Sequence, residues 1–297
     1  MGYLFLAFAL ISGSVKGYCG KKTSGYVQEY KDAMFTNFIR MIMCVVISFA
    51  LLAVCGNAAL LKVNSATVLT ALLAGVTTSL FVVLWLISVR RGAYMMLDVF
   101  LMMGVTVPII LSNIFFNEQI KPNQLIGLAV LFAAVVIMCS YNNQIKQKMS
   151  VTSLILLIIC GVANGFTDFS QKCYVKVVSN SNAAVFNFYT YLFSAVVLAA
   201  VYMCAKAKDV SGSKSEADVM RRVGVYVSIM SVCLFAYSYF KTLAAGLLPS
   251  AILYPLSQGA SLILSSIMSM VLFKEKITLK CVFGLVLSFI GLVILNS

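Results

Sequence analysis

The chain contains no histidine, and of its 297 residues only 22 are Lys or Arg and 9 are Asp or Glu. Without histidine there is no usual metal ligand of that type, no side chain titrating near neutrality by default, and no histidine-based triad. The nine cysteines (Cys19, Cys44, Cys55, Cys139, Cys160, Cys173, Cys204, Cys233 and Cys281) form no Cys-x-x-Cys pair. They fall mostly within or beside apolar stretches, where they read as small packing residues and not as disulfides or metal ligands. A Gly-x-x-x-x-Gly-Lys-Ser/Thr loop is missing, as are a Gly-x-Asp motif and paired carboxylates at helical spacing. The chain is therefore not expected to be an enzyme, to use ATP or to need a metal or cofactor.

What it has instead is apolar length: 62% of the residues are hydrophobic and the mean hydropathy is +1.00, which places it among polytopic membrane proteins. Ten runs can cross a hydrocarbon core of about 30 Å as helices: roughly 2 to 20, 34 to 55, 67 to 89, 93 to 116, 123 to 141, 151 to 172, 183 to 204, 224 to 246, 249 to 273 and 279 to 296. The runs are continuous, without period-2 alternation, so helices and not barrel strands are expected. Leu4 to Ile11 resembles the apolar region of a signal peptide, but no basic segment precedes it, and removing it would leave four helices against five. Only 20 to 33 and 205 to 223 are connections of more than about ten residues, too little for a soluble domain.

One segment occurs twice. Glu118-Gln-Ile-Lys-Pro-Asn-Gln-Leu-Ile-Gly127 and its apolar run to Met138 reappear as Glu275-Lys-Ile-Thr-Leu-Lys-Cys-Val-Phe-Gly284 and its run to Leu295, with seven identities in 21 ungapped positions. Two homologous halves follow, 1–145 and 146–297, each of five helices. An odd-numbered unit that is duplicated enters the membrane the second time from the other side, which is inverted topology, and an apolar inverted repeat points first to a transporter.

The net charge of +13 is spread over many loops, with no continuous patch for nucleic acid. Read as an orientation signal, seventeen Lys and Arg, beginning with Lys16, Lys21, Lys22 and Lys31 and including Arg40 and Lys280 at helix ends, fall on one side. Five fall on the other: Lys62, Lys121, Lys172, Lys176 and Lys241. This bias places both termini outside the cytoplasm.

Several features together resemble the EamA branch of the drug/metabolite transporter superfamily over essentially the whole chain. The first helix carries Gly13, Gly17 and Gly20, Arg40 lies early in the second, and Pro108 stands ten residues before Glu118 in the fourth. The second half repeats the scheme with Gly161 and Gly165, Leu248-Pro-Ser-Ala-Ile-Leu-Tyr-Pro255, Phe273-Lys-Glu-Lys276 and Gly284. The resemblance implies an all-α membrane protein with ten transmembrane helices as two inverted five-helix EamA-like repeats. It implies multi-pass residence in the cell (plasma) membrane, a central cavity open alternately to each face, and movement of a small-molecule substrate such as a metabolite, amino acid or drug-like compound, with export the expected direction. A nucleotide-sugar or lipid-linked substrate carrier is the alternative within transport, and an intramembrane enzyme or scaffold lies further off. The expected partners are the substrate and the lipid bilayer, with the chain a monomer or homodimer. Relatives usually keep their termini in the cytoplasm, opposite to the charge bias, so orientation stays open.

Glu118 and Glu275, at helix ends before short turns, read as caps for the N-terminal amides of the helix that follows. Gly127, Gly284 and the pairs Gly13-x-x-x-Gly17 and Gly161-x-x-x-Gly165 read as close-packing positions. Ionisable residues inside helices normally face a partner or a wet cavity. Two acid–base pairs, Asp98 with Arg40 and Asp168 with Lys241, are candidate gates at opposite mouths; the other reading is that these charges snorkel to the interface. A polar and aromatic cavity lining is expected from Trp85, Asn164, Gln171, Tyr237, Tyr239, Tyr254, Gln258 and Ser261. The last three share one helix face, and Pro255 among them can loosen that helix. Such a lining suits a partly apolar solute with a few hydrogen-bonding groups.

The orientation is open to direct measurement. With a single cysteine at Ser213 in an otherwise cysteine-free chain, the charge bias predicts no labelling of intact cells by an impermeant thiol reagent. Prompt labelling would place that loop outside.

Overall fold

In lipid each backbone N–H and C=O must find a partner within its own segment, and the apolar runs meet this demand as helices. The computed structural model describes residues 1–27, 30–56, 58–61, 64–91, 94–139, 151–207, 216–274 and 279–296. Its helices are α1 (Gly2–Ser24), α2 (Tyr30–Val54), α3 (Ser65–Arg91), α4 (Tyr94–Gly104), α5 (Thr106–Phe116), α6 (Pro122–Cys139), α7 (Val151–Val177), α8 (Ala183–Ala207), α9 (Glu216–Leu247), α10 (Ser250–Val271) and α11 (Leu279–Asn296), with a 3-10 turn at Ala58–Leu60. The protein is all-α. Six described helices are long and apolar enough to cross a membrane unaided, and Phe100–Phe116, Pro122–Ala134 and Val282–Leu295 are shorter apolar helices.

Where one fourth helix was expected over 93 to 116, there are two, α4 and α5, separated at Val105. Pro108 has no N–H to offer the carbonyl of Gly104, so the regular ladder cannot run through this point. The break is bridged by tighter bonds, from the Val105 amide to the Met102 carbonyl (3.2 Å) and from the Thr106 hydroxyl to the Met103 carbonyl (2.8 Å). Pro255, by contrast, stands inside α10 without ending it. At its C-terminus α5 closes on Asn117 in the left-handed conformation (φ 51°), whose amide bonds the Ser112 carbonyl. That sharp stop turns the chain back and presents Glu118.

The helix pairings are unchanged when the two halves are exchanged. Taking α4 and α5 as one segment, α1–α5 correspond to α7 and α8–α10 in order, through α1 with α7, α2 with α8, α3 with α9 and α4–α5 with α10; α6 corresponds to α11. The packing of α1 on α9 is matched by α7 on α3, α2 on α9 by α8 on α3, and α4 on α7 by α10 on α1. Three pairs, α2 with α8, α6 with α11 and α4–α5 with α10, are their own counterparts and straddle the axis. The halves run oppositely through the bilayer. Ser250, the first residue of α10, touches Glu118 in the turn after α5, and a 22-residue α10 carries the chain roughly 33 Å further before the turn into α11. The turn before α6 and the turn before α11 therefore lie on opposite faces. Glu275 lies outside the described residues, as does the junction between the halves at 145 and 146.

Close helix approach rests on glycine, because lipid supplies no hydrophobic drive between helices and contact depends on packing. A methyl group on Gly104 of α4 would land on the carbonyl of Gly161 in α7, and one on Gly165 would land on the carbonyl of Gly104. Where α6 meets α11, a methyl on Gly127 would come within 2.8 Å of the Gly291 carbonyl. Gly161, Gly165 and Gly127 thus take the close-packing role read from their spacing. Gly13 faces the ring of Tyr237, 3.1 Å from where its Cβ would stand.

Gly104→Ala should therefore lower stability by about 1–3 kcal/mol through enforced separation of α4 and α7. Gly246→Ala, where nothing lies within 4 Å, should be neutral or gain up to about 1 kcal/mol. Thermal unfolding of the two purified variants in detergent checks the contrast.

Candidate functional site

The buried charges gather where α1, α4, α7, α9 and α10 converge. Lys241 of α9, fully buried, donates from Nζ to Asp168 Oδ1 of α7 at 2.7 Å and to the hydroxyl of Tyr237, one turn earlier, at 3.0 Å. Tyr254 of α10 donates its hydroxyl to the main-chain carbonyl of Asp168 at 2.6 Å. Three helices of the second half are thus tied at one point by a buried ion pair and a tyrosine. Asp168 and Lys241 are not interfacial: they are 4% and 0% exposed and paired with each other, which rules out snorkelling for this pair.

A second polar lock lies nearer the turn after α5. Glu118 Oε1 meets Lys172 Nζ at 2.8 Å and Lys176 Nζ at 3.6 Å, while Oε2 accepts from the Ser250 amide at 2.8 Å. Lys172, 2% exposed, also donates to the carbonyls of Ala245 (3.1 Å) and Leu248 (2.7 Å), and the Ser250 hydroxyl donates to that of Ser112 at 2.9 Å. Glu118 is a cap, but of α10 in the other half and not of the following α6. The reversal at Asn117 aims its carboxylate across the axis, and the first turn of α6 is served by Gln124, whose side chain accepts from the Lys121 amide at 3.0 Å. Burial alone would raise the Glu118 carboxyl, but the Lys172 ammonium and the Ser250 amide together hold it below its usual value.

Beside these locks lie two adjoining cavities that share Lys16, Phe81, Asn164 and Tyr237 in their walls. The first is also lined by Trp85, Asp98, Gln258 and Ser261, and the volume open to the centre of a water-sized sphere is about 50 Å³, room for a few waters. The second takes in Asp168, Gln171, Thr190 and Ser238. Between Gln171 and α8 runs a chain of hydrogen bonds, from Gln171 Nε2 to Ser238 Oγ (3.2 Å) and from Ser238 Oγ to Asn187 Oδ1 (2.7 Å). Asn164 Nδ2, Gln171 Oε1 and Thr190 Oγ1, all in cavity walls, are buried without a hydrogen-bond partner. Buried polar atoms are normally satisfied, so open donors and acceptors around a cavity call for water or another polar guest there.

Of the expected lining, Trp85, Asn164, Tyr237, Gln258 and Ser261 border the first cavity, and Gln171 the second. Tyr254 stands behind Asp168 and lines neither of the two cavities. Tyr239 is turned away: it stacks on Phe235 at 5.7 Å and packs against Phe240, because residues two apart on a helix point roughly 200° apart. Arg40 and Asp98 are both buried but form no ion pair among the described residues. Asp98 faces Ser265 and Lys16, and Arg40 lies by Cys44 and Tyr191 with Nε unbonded. The reason is lateral. Sharing a depth in the membrane does not bring two helices together, and α2 packs on α8 and α9 whereas α4 packs on α7 and α10.

Lys16 and Lys172 are the residues that reading the sequence missed, having been counted with the loops. The expected runs 2 to 20 and 151 to 172 already held both lysines, and α1 and α7 continue past them to Ser24 and Val177, so both belong to helices and not to loops. The signal was a cation followed by several more helix-compatible residues before any turn former. Taking both out of the orientation count leaves its direction unchanged.

The sequence model of the EamA-like transporter family matches residues 1–140 and 151–297. The chain belongs to that family, and its fold is that of a membrane transporter. It is an all-helical, multi-pass membrane protein, consistent with a place in the plasma membrane. A solved structure described only as "Crystal structure of protein" aligns with a TM-score of 0.66 at 12% identity, over 99% of this chain and 95% of its own, a likeness of fold alone. No curated protein matches the chain. Among the described residues there is no group of three or more Cys, Asp or Glu placed to hold a metal.

Removing one member of a buried pair strands the other charge, at a cost of about 3–5 kcal/mol, whereas replacing both with neutral groups is often nearly free. Asp168→Asn and Lys241→Met should each lower the unfolding temperature in detergent, and the double variant should recover most of the loss. Additive losses in the double variant would show that the two residues do not stabilise each other.

Proposed function

We propose that the protein is a secondary transporter that moves a small, partly apolar organic solute across the plasma membrane by alternating access, as an exporter, without covalent chemistry or ATP. The observation that carries this reading is a buried cavity on the axis of an inverted repeat, walled by unsatisfied polar atoms and aromatic rings and bordered by an ion pair. A fixed site between two symmetry-related bundles is the arrangement in which rocking exposes the site to each face in turn. The two repeats, 1–145 and 146–297, are the bodies that move.

The Glu118 end is the closed end. There Lys241–Asp168–Tyr254 and Glu118–Lys172–Ser250 both bind helices together. Asp98, toward the other face, has no ion pair among the described residues, as a gate that is open in this state would. Asp168 and Lys241 act as one gate, and Asp98 acts as part of the other. The substrate contacts are Trp85, Asn164, Gln171, Tyr237, Gln258 and Ser261. The Glu118-side lock must break and the Asp98 side must close for the cycle to turn.

Counterflow in liposomes preloaded with pooled amino acids, organic acids and nucleosides tests the activity, with protein-dependent accumulation of at least one labelled solute expected. In a cysteine-free chain carrying Ser261→Cys, Asp168→Asn should raise labelling from the Glu118 side. A shift of about 1.4 kcal/mol in the two-state balance changes the ratio tenfold; unchanged labelling would sink the gate.

A further inference from the structure

The electrostatics of the central cavity are unbalanced. The charged groups within reach of the Lys16 ammonium are Arg40 and Lys241, which repel it, and Asp98 and Asp168, which attract it. Three cations against two carboxylates leave one positive charge when all are ionised. Asp168 is already committed, at 2.7 Å, to Lys241. Lys16 has no ion pair and no hydrogen bond among the described residues; its ammonium lies 4.4 Å from the centroid of the Tyr237 ring, with Lys241 at 5.2 Å from the same centroid. Two ammonium groups on one ring repel each other, and Asp98, though it attracts Lys16, makes no direct ion pair with it, so this half-buried cation is only partly compensated. A single anion placed beside Lys16 would remove both penalties.

The surroundings suit such an anion. Asn164 Nδ2, on a residue 8% exposed, is a donor without a partner and lies in the wall of both cavities that Lys16 lines. An ammonium and an amide N–H in one cavity wall form the donor pair that a carboxylate takes up. The rest of the first cavity wall includes Phe81, Trp85 and Leu101, an apolar and aromatic surface for a flat hydrocarbon body. Asp98, in the same wall, opposes a second negative charge and so limits the guest to one.

We infer that the solute is a small amphipathic monocarboxylate, its carboxylate held by Lys16 and Asn164 and its apolar body lying against Trp85 and Phe81. This deepens the transporter reading and rests on it. It also separates two roles among the lysines of the cavity region: Lys241 closes a gate, and Lys16 reads charge.

The chain has a single tryptophan, and it lines this cavity, so its fluorescence reports occupancy directly. Three probes of similar shape and different charge are titrated against the purified full chain: phenylacetate (anion), phenylalanine (zwitterion) and phenethylamine (cation), with butyrate as an aliphatic monocarboxylate. Saturable change with phenylacetate is expected, with phenylalanine weaker by at least about tenfold and phenethylamine silent. Lys16→Gln should weaken phenylacetate at least about tenfold and Lys16→Arg should restore it. Should Lys16→Gln not yield folded protein, Asn164→Ala should weaken phenylacetate severalfold while leaving the monodisperse fold intact. Phenylalanine binding as tightly as phenylacetate would overturn the inference in favour of a zwitterion site read by Asp98. Undiminished affinity in the folded Lys16 or Asn164 variant would overturn it too, as would no saturable binding of phenylacetate or butyrate. If counterflow of some other solute is robust while these monocarboxylates do not bind, the charge assignment fails and the transporter reading stands; no counterflow of any solute would fail the latter.

Discussion

A lysine well inside an apolar helix must turn inward, because on the lipid side its ammonium would have neither water nor a counter-ion. Lys241 meets this constraint with Asp168 of α7 and the Tyr237 hydroxyl, and Tyr254 of α10 adds its bond to the same aspartate. Much of the second half's geometry depends on that arrangement. It sets the rotation of α7 and α9 about their axes, and so decides which faces carry Asn164, Gln171 and Tyr237 into the cavities. Helices that slide over one another by van der Waals contact alone have many near-equivalent registers; a buried ion pair has few.

The same physics suits the pair to the gating role proposed for it. A buried pair contributes little net stability over apolar side chains of the same volume, yet it is costly to break halfway. Such an interaction tends to be either made or fully replaced, which is the behaviour wanted of a two-state element. Glycine contacts add the second requirement, a surface that can rock. At the α4–α7 crossing, Gly104, Gly161 and Gly165 bring backbone against backbone, so few side chains need change rotamer when the helices shift.

Glu118 shows how the two halves communicate. Its carboxylate accepts from the first amide of α10 and pairs with Lys172, which in turn holds the last carbonyls of α9. One residue of the first repeat thereby ties together the end of one helix and the start of the next in the second repeat. Movement of the first half against the second must loosen this lock.

The sequence by itself determined the class, the apolar segments and the inversion, because apolar length, odd-numbered duplication and the Glu118–Glu275 repeat are properties of the chain that lipid leaves little freedom to reinterpret. It also put Asp168 and Lys241 forward as candidate partners at one depth, without deciding between an ion pair and two charges snorkelling to the interface. Only the tertiary structure decided which helices meet. Arg40 and Asp98 share a depth but sit on α2 and α4, which pack on different neighbours; Tyr239 shares a helix with Tyr237 but faces another way. The helix ends were decided there as well: α1 and α7 run on to Ser24 and Val177, which takes Lys172 away from a helix end and leaves Lys16 about two turns inside α1. Hydropathy falls at a lysine whether the helix stops or continues, and only the packing of that lysine against α9 or Glu118 distinguishes the two.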